Sequence, residues 1–193
     1  MSLLEAASAE TCVYLGSMYL SQMKRKAPDL NTKVKRSRTS VKTAGVEVWV
    51  DDIVAHIARE LAHCDTALCC VAWLTNSELL AALGKLDDVR IVVTKDKLLK
   101  RYTPAYKKLP KKSKDKVAVK ALGSARKGSS LMHHKFCVGL RDGKALFVLT
   151  GSFNWSASAS RALENVVCLR DPMLVDFFRS EHVALWKAAK KFY

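Results

Sequence analysis

Four apolar runs constrain this chain most: TALCCVAW at 66–73, VRIVVT at 89–94, LMHHKFCVGL at 131–140 and ALFVLT at 145–150. Each is short, rich in β-branched or small residues and bounded by turn formers, the pattern of a buried strand. Helical periodicity fills the gaps between them. In Asp51–Cys64 the residues Ile53, Val54, Ile57 and Leu61 share one stripe, with acids at the end where the helix dipole favours them. Ser77–Leu83 is a short helix that stops at Gly84. Asp96–Leu109 is basic and helical in part, broken at Pro104. Asp171 and Pro172 form an N-cap and first-turn proline, and Leu174, Phe177, Phe178, Leu185 and Trp186 then mark the buried face of a C-terminal helix. Val117–Ala121 and Glu164–Arg170 are further strands, and Gly123–Ser130 is a loop. Strands alternating with helices specify an α/β sheet. Asp142-Gly143 between two apolar runs adds a hairpin, so the sheet is mixed rather than all parallel.

With 193 residues, 49% of them hydrophobic, the chain suffices for one domain with a full core plus a tail. Composition turns globular near Val46. The expected division is a basic, partly disordered extension over residues 1–45 and a single domain over 46–193. The six cysteines are scattered through apolar runs, where a free thiol behaves as a small hydrophobe, so neither a disulfide scaffold nor a structural zinc site is expected. The reading is an intracellular, reducing setting. Glu5 and Glu10 and the lack of a basic leader are unlike a secretory signal. The apolar part of that terminus, Thr11–Leu20, is about half of the ~20 residues a spanning helix needs, so no membrane span is expected.

The net charge is +15, and it is concentrated. Residues 95–127 hold 13 Lys/Arg against 2 Asp/Glu, residues 1–45 hold 8 against 3, and residues 46–94 are acidic with 3 against 8. Solubility favours interspersed signs; blocks of cation attract a polyanion, nucleic acid first and an anionic membrane second. The two basic clusters in KRKAPDLNTKVKRSR, residues 24–38, have the form of a bipartite nuclear-import signal or of an arm lying on phosphates, which places the protein in nucleus or cytoplasm.

One constellation carries chemistry. His133 and Lys135 are two apart in an expected strand and so share a face, with His134 on the other. The hairpin returns the chain to Gly151-Ser152-Phe153-Asn154, and Glu164 opens the next strand. An imidazole can attack phosphorus and split a phosphodiester in two steps through a phosphohistidine. Lys135 and Asn154 can donate to the non-bridging oxygens, and a carboxylate on the far ring nitrogen fixes the tautomer of the nucleophile. Gly151 and Ser152 permit a tight turn facing a phosphate. Any one of these pieces alone is commonplace; all of them in order beside a cationic block are not.

The run HHKFCV…LTGSFNWSASASRALENVV resembles the H-x-K-x4-D, GSxN and Glu signature of the phospholipase D superfamily, in the flavour of its single-motif branch of bacterial endonucleases and mitochondrial cardiolipin hydrolase/Zucchini proteins. The resemblance covers roughly Val46 to Trp186 and is strong from Met132 to Val167. It implies a mixed sheet sandwiched between helices and chemistry without metal or other cofactor. It further implies His133 as nucleophile, Lys135 and Asn154 as phosphate ligands with Ser152 and Gly151 beside them, and Glu164 holding the histidine ring. One departure stands out: the family's Asp position is occupied by Leu140, and the next acid is Asp142 in the hairpin turn. There is one copy of the motif, so the second histidine needed to protonate the leaving oxygen is expected from a homodimer with a shared active site.

Phosphodiesters occur in lipids and nucleic acids alike, and charge arbitrates between them. The Lys97–Lys127 block, with Arg126 and Lys127 next to the catalytic strand, suits several phosphates at once. Tyr102 and Tyr106 are interleaved with those lysines, for stacking on bases or for packing. The expected function is a nuclease with little sequence preference acting on DNA or RNA. The alternatives are a phospholipase D or cardiolipin hydrolase acting on anionic lipid, and a nucleic-acid-binding module whose centre has decayed.

Overall fold

A computed structural model describes residues 29–112 and 117–193 of the chain. Among the described residues nine strands form one mixed sheet: β1 (Ser40–Thr43), β2 (Val46–Trp49), β3 (Thr66–Val71), β4 (Asp88–Lys95), β5 (Val119–Ser124), β6 (Lys135–Arg141), β7 (Lys144–Gly151), β8 (Val166–Leu169) and β9 (Lys190–Lys191). Their spatial order is β1-β2-β8-β7-β6-β3-β4-β5-β9. β3, β4 and β5 run parallel, and every other neighbouring pair is antiparallel.

Among the described residues the α-helices are α1 (Ile53–Leu61), α2 (Ser77–Leu83), α3 (Thr103–Lys108) and α4 (Pro172–Ala188). Successive side chains of a strand point to opposite faces, so the sheet has two cores. On one face Cys69, Val71, Ile91 and Leu149 pack with Ile57 and Leu61 of α1, Leu79 and Leu83 of α2 and Tyr106 of α3. On the other, Leu68, Cys70, Val92, Phe136 and Val148 meet Val175 and, partly buried, Phe178, Leu185 and Trp186 of α4. Each fully buried Leu or Ile contributes about 1.5–3 kcal/mol, which ties the helices to the sheet. The expected α/β sandwich is the one observed.

Several local expectations change. α4 turns a different stripe inward: Val175 and His182 are buried, whereas Leu174 and Phe177 are exposed. A helix face as wide as this one is set by what lies beneath it, and the sheet takes positions 175, 178, 182 and 185. Pro104 begins α3 instead of breaking a helix, because a proline at the first turn loses no intrahelical donor. Tyr106 belongs to the core, fully buried with its hydroxyl donating to the Leu74 carbonyl at 2.6 Å, so it is not a base-stacking residue. The boundary expected between residues 45 and 46 falls inside the β1–β2 hairpin. The first basic cluster, Lys24–Lys26, lies outside the described residues, as does Cys12. Among the described residues no helix is long and apolar enough to cross a membrane, and all five cysteines are buried and free.

Candidate active site

Three strand pairings assemble the site. Lys135, the first residue of β6, lies opposite Val71, the last of β3. Phe136 lies opposite Thr150 of β7, and Gly151 opposite Val166 of β8. Neighbouring strands are about 4.8 Å apart, so the start of β6, the end of β7 and the start of β8 fall within about 10 Å along one end of the sheet. His133 sits two residues before β6, not within it, and Glu164 two residues before β8. The side chains are therefore brought together by the loops that enter and leave the strands, rather than by strand alternation.

The turn after β7 is fixed by close backbone approach. Gly151 has φ +152°, and a Cβ there would stand 2.3 Å from the Asn165 carbonyl oxygen, so only glycine fits. Ser152 N donates to that same carbonyl at 3.1 Å, and Asn165 N donates back to Ser152 Oγ at 3.1 Å. Ser152 Oγ also donates to the Glu164 carboxylate. That carboxylate thus holds the Gly151–Asn154 turn; no hydrogen bond links it to His133.

The His133 ring is exposed and has no hydrogen-bond partner among the described residues; its neighbour is Trp73, edge-on at 5.5 Å between centroids. Partial desolvation, and then the Lys135 charge, hold its pKa below the usual imidazole value. Lys135 is half-buried and donates from Nζ to the His133 carbonyl at 2.7 Å. Desolvation lowers its pKa, opposed by the nearby Glu164 carboxylate. Asn154 Oδ1 is buried without a partner. Such an orphan costs about 1–3 kcal/mol, a cost that persists where the other end of the amide, its two N–H donors, is needed for a ligand.

His134 is exposed, with Nε2 3.5 Å from Glu181 and its ring against Phe136. Arg126 and Lys127 are exposed on the loop between β5 and His133, whose ends are joined by a Gly123–Leu131 bridge. Asp142 is at the far end of the hairpin, where it occupies a two-residue turn with Gly143, both at positive φ. β6 is seven residues long, which puts that turn about 20 Å from Lys135. Asp142 is no part of the site, and Leu140 is buried low on the same strand.

Two contributors escaped the sequence reading. Trp73 follows β3 and positions itself beside His133 through Nε1, which donates to Asp96 at 2.8 Å. Residues 29–36, assigned to a partly disordered extension, brace the loop between Asn154 and Glu164. Leu30 N donates to the Arg161 carbonyl at 2.9 Å and Asn31 Nδ2 to the Ala162 carbonyl at 3.1 Å. Arg36 holds Asn31 Oδ1 at 3.1 Å and pairs with Asp51 at 3.5 Å. No periodicity marks these contacts, and those of Leu30 and Asn31 reach across more than a hundred residues of chain. Among the described residues no three His, Cys, Asp or Glu side chains group as a metal-ligand set.

Residues 53–186 match the family described as "Cardiolipin synthase, PLD-like domain". The mitochondrial cardiolipin hydrolase of Chlamydomonas reinhardtii is 43% identical over 65 residues, a match spanning 33% of this chain and 27% of that protein. Two solved structures share the fold. Nuc from Salmonella typhimurium, a phospholipase D family member, superposes with a TM-score of 0.59 at 18% identity, over 75% of this chain and 95% of that one. NucT from Helicobacter pylori gives 0.59 at 14% identity, over 76% and 98%.

Proposed function

Because the chain belongs to the phospholipase D superfamily, whose members are phosphodiesterases, we propose that it hydrolyses the phosphodiesters of nucleic acid, with little sequence preference and without a metal ion. The observation that carries this is an exposed, unbonded imidazole, kept neutral beside the Lys135 ammonium at one end of the sheet. A neutral ring has a lone pair for phosphorus. His133 nitrogen attacks, an N–P bond forms, and the P–O bond to the leaving strand breaks. A second imidazole gives its proton to the departing oxygen. It then takes a proton from water, whose oxygen displaces His133 and ends the cycle.

With one motif in the chain, that second imidazole is His133 of a second copy across a two-fold axis. Lys135 and the Asn154 amide donate to the non-bridging oxygens, where charge accumulates. Glu164 keeps the Ser152 turn in place and supports the charged form of Lys135. The basic clusters at 24–38 act in nuclear import in this reading. A fusion carrying residues 1–45 then enters nuclei, and a cytoplasmic one counts against it.

A second reading, hydrolysis of anionic lipid, draws on the likeness to a cardiolipin hydrolase. The third, a decayed binding module, draws on the missing Asp. The distance of Asp142 from Lys135 weighs against it, since the family's Asp position, Leu140, also lies well down β6, away from the phosphate ligands. One assay separates the three: single-stranded DNA, RNA and cardiolipin vesicles are incubated with wild-type and His133→Ala protein in EDTA. Nucleic acid cut by the wild type alone supports the proposal. Turnover of lipid only, or tight binding with no cleavage by either protein, refutes it.

A further inference from the structure

A groove of about 870 Å³ opens beside the candidate active site, at the carboxyl ends of β4 and β5 and against the edge strand β9. Lys95, Lys97, Lys100, Arg126, Lys190 and Lys191 line it. All six are exposed. None of them forms an ion pair with an acid among the described residues. Asp96 is the one acid in the lining, and its carboxylate already accepts from Trp73 Nε1 at 2.8 Å and from Leu98 N at 2.8 Å. Six cations against a single carboxylate leave a net positive groove whose charges repel one another, and an anion that enters relieves the repulsion.

The walls of the groove are linked to His133 in two ways. Its inner wall, Asp96, holds Trp73, whose ring touches His133. Its other wall is the loop from Gly123, which bridges to Leu131 and leads directly into Met132–His133. Leu122 and Phe192 add apolar surface to its lining. Cations along the sides with apolar surface between them suit a chain of phosphates whose bases lie on that surface. A bilayer offers a flat sheet of charge and meets rims and convex surfaces, while a flexible strand can enter a concavity.

We propose that this β5–β9 groove is a second binding site, distinct from the catalytic centre, that holds the backbone of single-stranded nucleic acid on one side of the scissile phosphate. It rests on the nuclease reading for the identity of the polymer. It makes Lys190 and Lys191 of the edge strand β9 determinants of polymer binding.

Binding is measured by fluorescence anisotropy with a ~20-nucleotide oligothymidylate, on a His133→Ala background so that nothing is cut, from about 50 to 200 mM salt. Two double variants, Lys190→Gln/Lys191→Gln and Lys97→Gln/Lys100→Gln, test the groove from separate elements, so misfolding of one does not decide the matter. Each lost phosphate contact lowers the slope of log affinity against log salt by about 0.7, so each pair flattens it by about 1.4. The affinity ratio across that salt range then shrinks about sevenfold. Wild-type slopes in both variants overturn the groove even if the wild-type enzyme cuts DNA or RNA. Flattened slopes uphold it even if no diester is hydrolysed. If vesicles of phosphatidylglycerol lose binding on the same substitutions and the oligonucleotide never binds, the occupant is a membrane and the proposal fails.

Discussion

His182 offers a test of how α4 is seated on the sheet. It is 1% exposed, between the helix and β4, with Nε2 3.0 Å from the Arg90 carbonyl and its ring stacked on Trp186 at 5.9 Å. Burial pushes its pKa down to about 4; the Arg90 carbonyl works against that shift and the Arg90 charge adds to it. The other cation at this contact is Lys120, over the Trp186 ring at 4.4 Å. A depressed folded-state pKa means that the neutral ring is the one the fold accepts. Its contribution is fully present above the unfolded value near 6.5 and is lost as pH falls toward 4. At about 1.36 kcal/mol per pH unit of difference, the loss is about 2 kcal/mol at pH 5 and about 3 kcal/mol at pH 4.

Carboxylates elsewhere in the protein titrate in the same range, so the useful quantity is a difference. Urea unfolding of wild type and His182→Gln is compared at pH 7.5 and pH 5. Glutamine keeps a donor for the carbonyl but no titrating ring. At pH 7.5 the variant is less stable by about 1 kcal/mol through poorer packing and hydrogen bonding. By pH 5 the comparison shifts in its favour by about 2 kcal/mol. A difference constant to within about 0.5 kcal/mol between the two pH values refutes the reasoning, because it means that His182 takes up a proton in the fold as readily as in the unfolded chain.

Three further outcomes are expected. Gly151→Ala places a Cβ against the Asn165 carbonyl at a positive φ and lowers stability by about 1–3 kcal/mol in thermal or urea unfolding, with the loss of turnover exceeding the loss of folded protein. Lys135→Met removes the charge that helps to depress His133, so the acid limb of the pH–rate profile moves to higher pH while the residual rate falls about 10²–10³-fold; an unmoved limb argues that the two groups do not couple. Under the proposed shared site, subunit exchange of wild-type protein with an equal amount of His133→Ala protein lowers activity to about a quarter of that of wild-type protein at the same total concentration, because a mixed pair would lack one imidazole; a value near one half indicates self-sufficient subunits.

The sequence by itself determined the six central strands, β3 to β8, and their order along the chain, while β1, β2 and β9 carried no signal in it. TALCCV and VRIVVT, short runs rich in β-branched and small residues between turn formers, are the buried strands they were read as, and Asp142-Gly143 is a turn at positive φ because few other residues adopt it. Asp171-Pro172 opens α4 with the expected cap, its carboxylate accepting from Met173 N and Leu174 N. These features depend on neighbours within a few residues, and local chemistry decides them. The motif residues around His133 and Asn154 were equally legible, since an uncommon combination of side chains stands out in a chain of any fold.

Tertiary structure decided what depends on distant partners. The stripe that α4 buries follows the relief of β3, β4 and β6, so hydrophobicity alone pointed outward-facing Leu174 and Phe177 the wrong way. Glu164 bonds to Ser152 because the close approach at Gly151 brings those two loops together. The brace from Asn31 and Arg36 and the groove shared by Lys95 and Lys191 join residues that only the closed sheet makes neighbours. Hydrogen bonds and charges act over a few ångströms of space, and spacing along a chain cannot express that distance until the chain has folded.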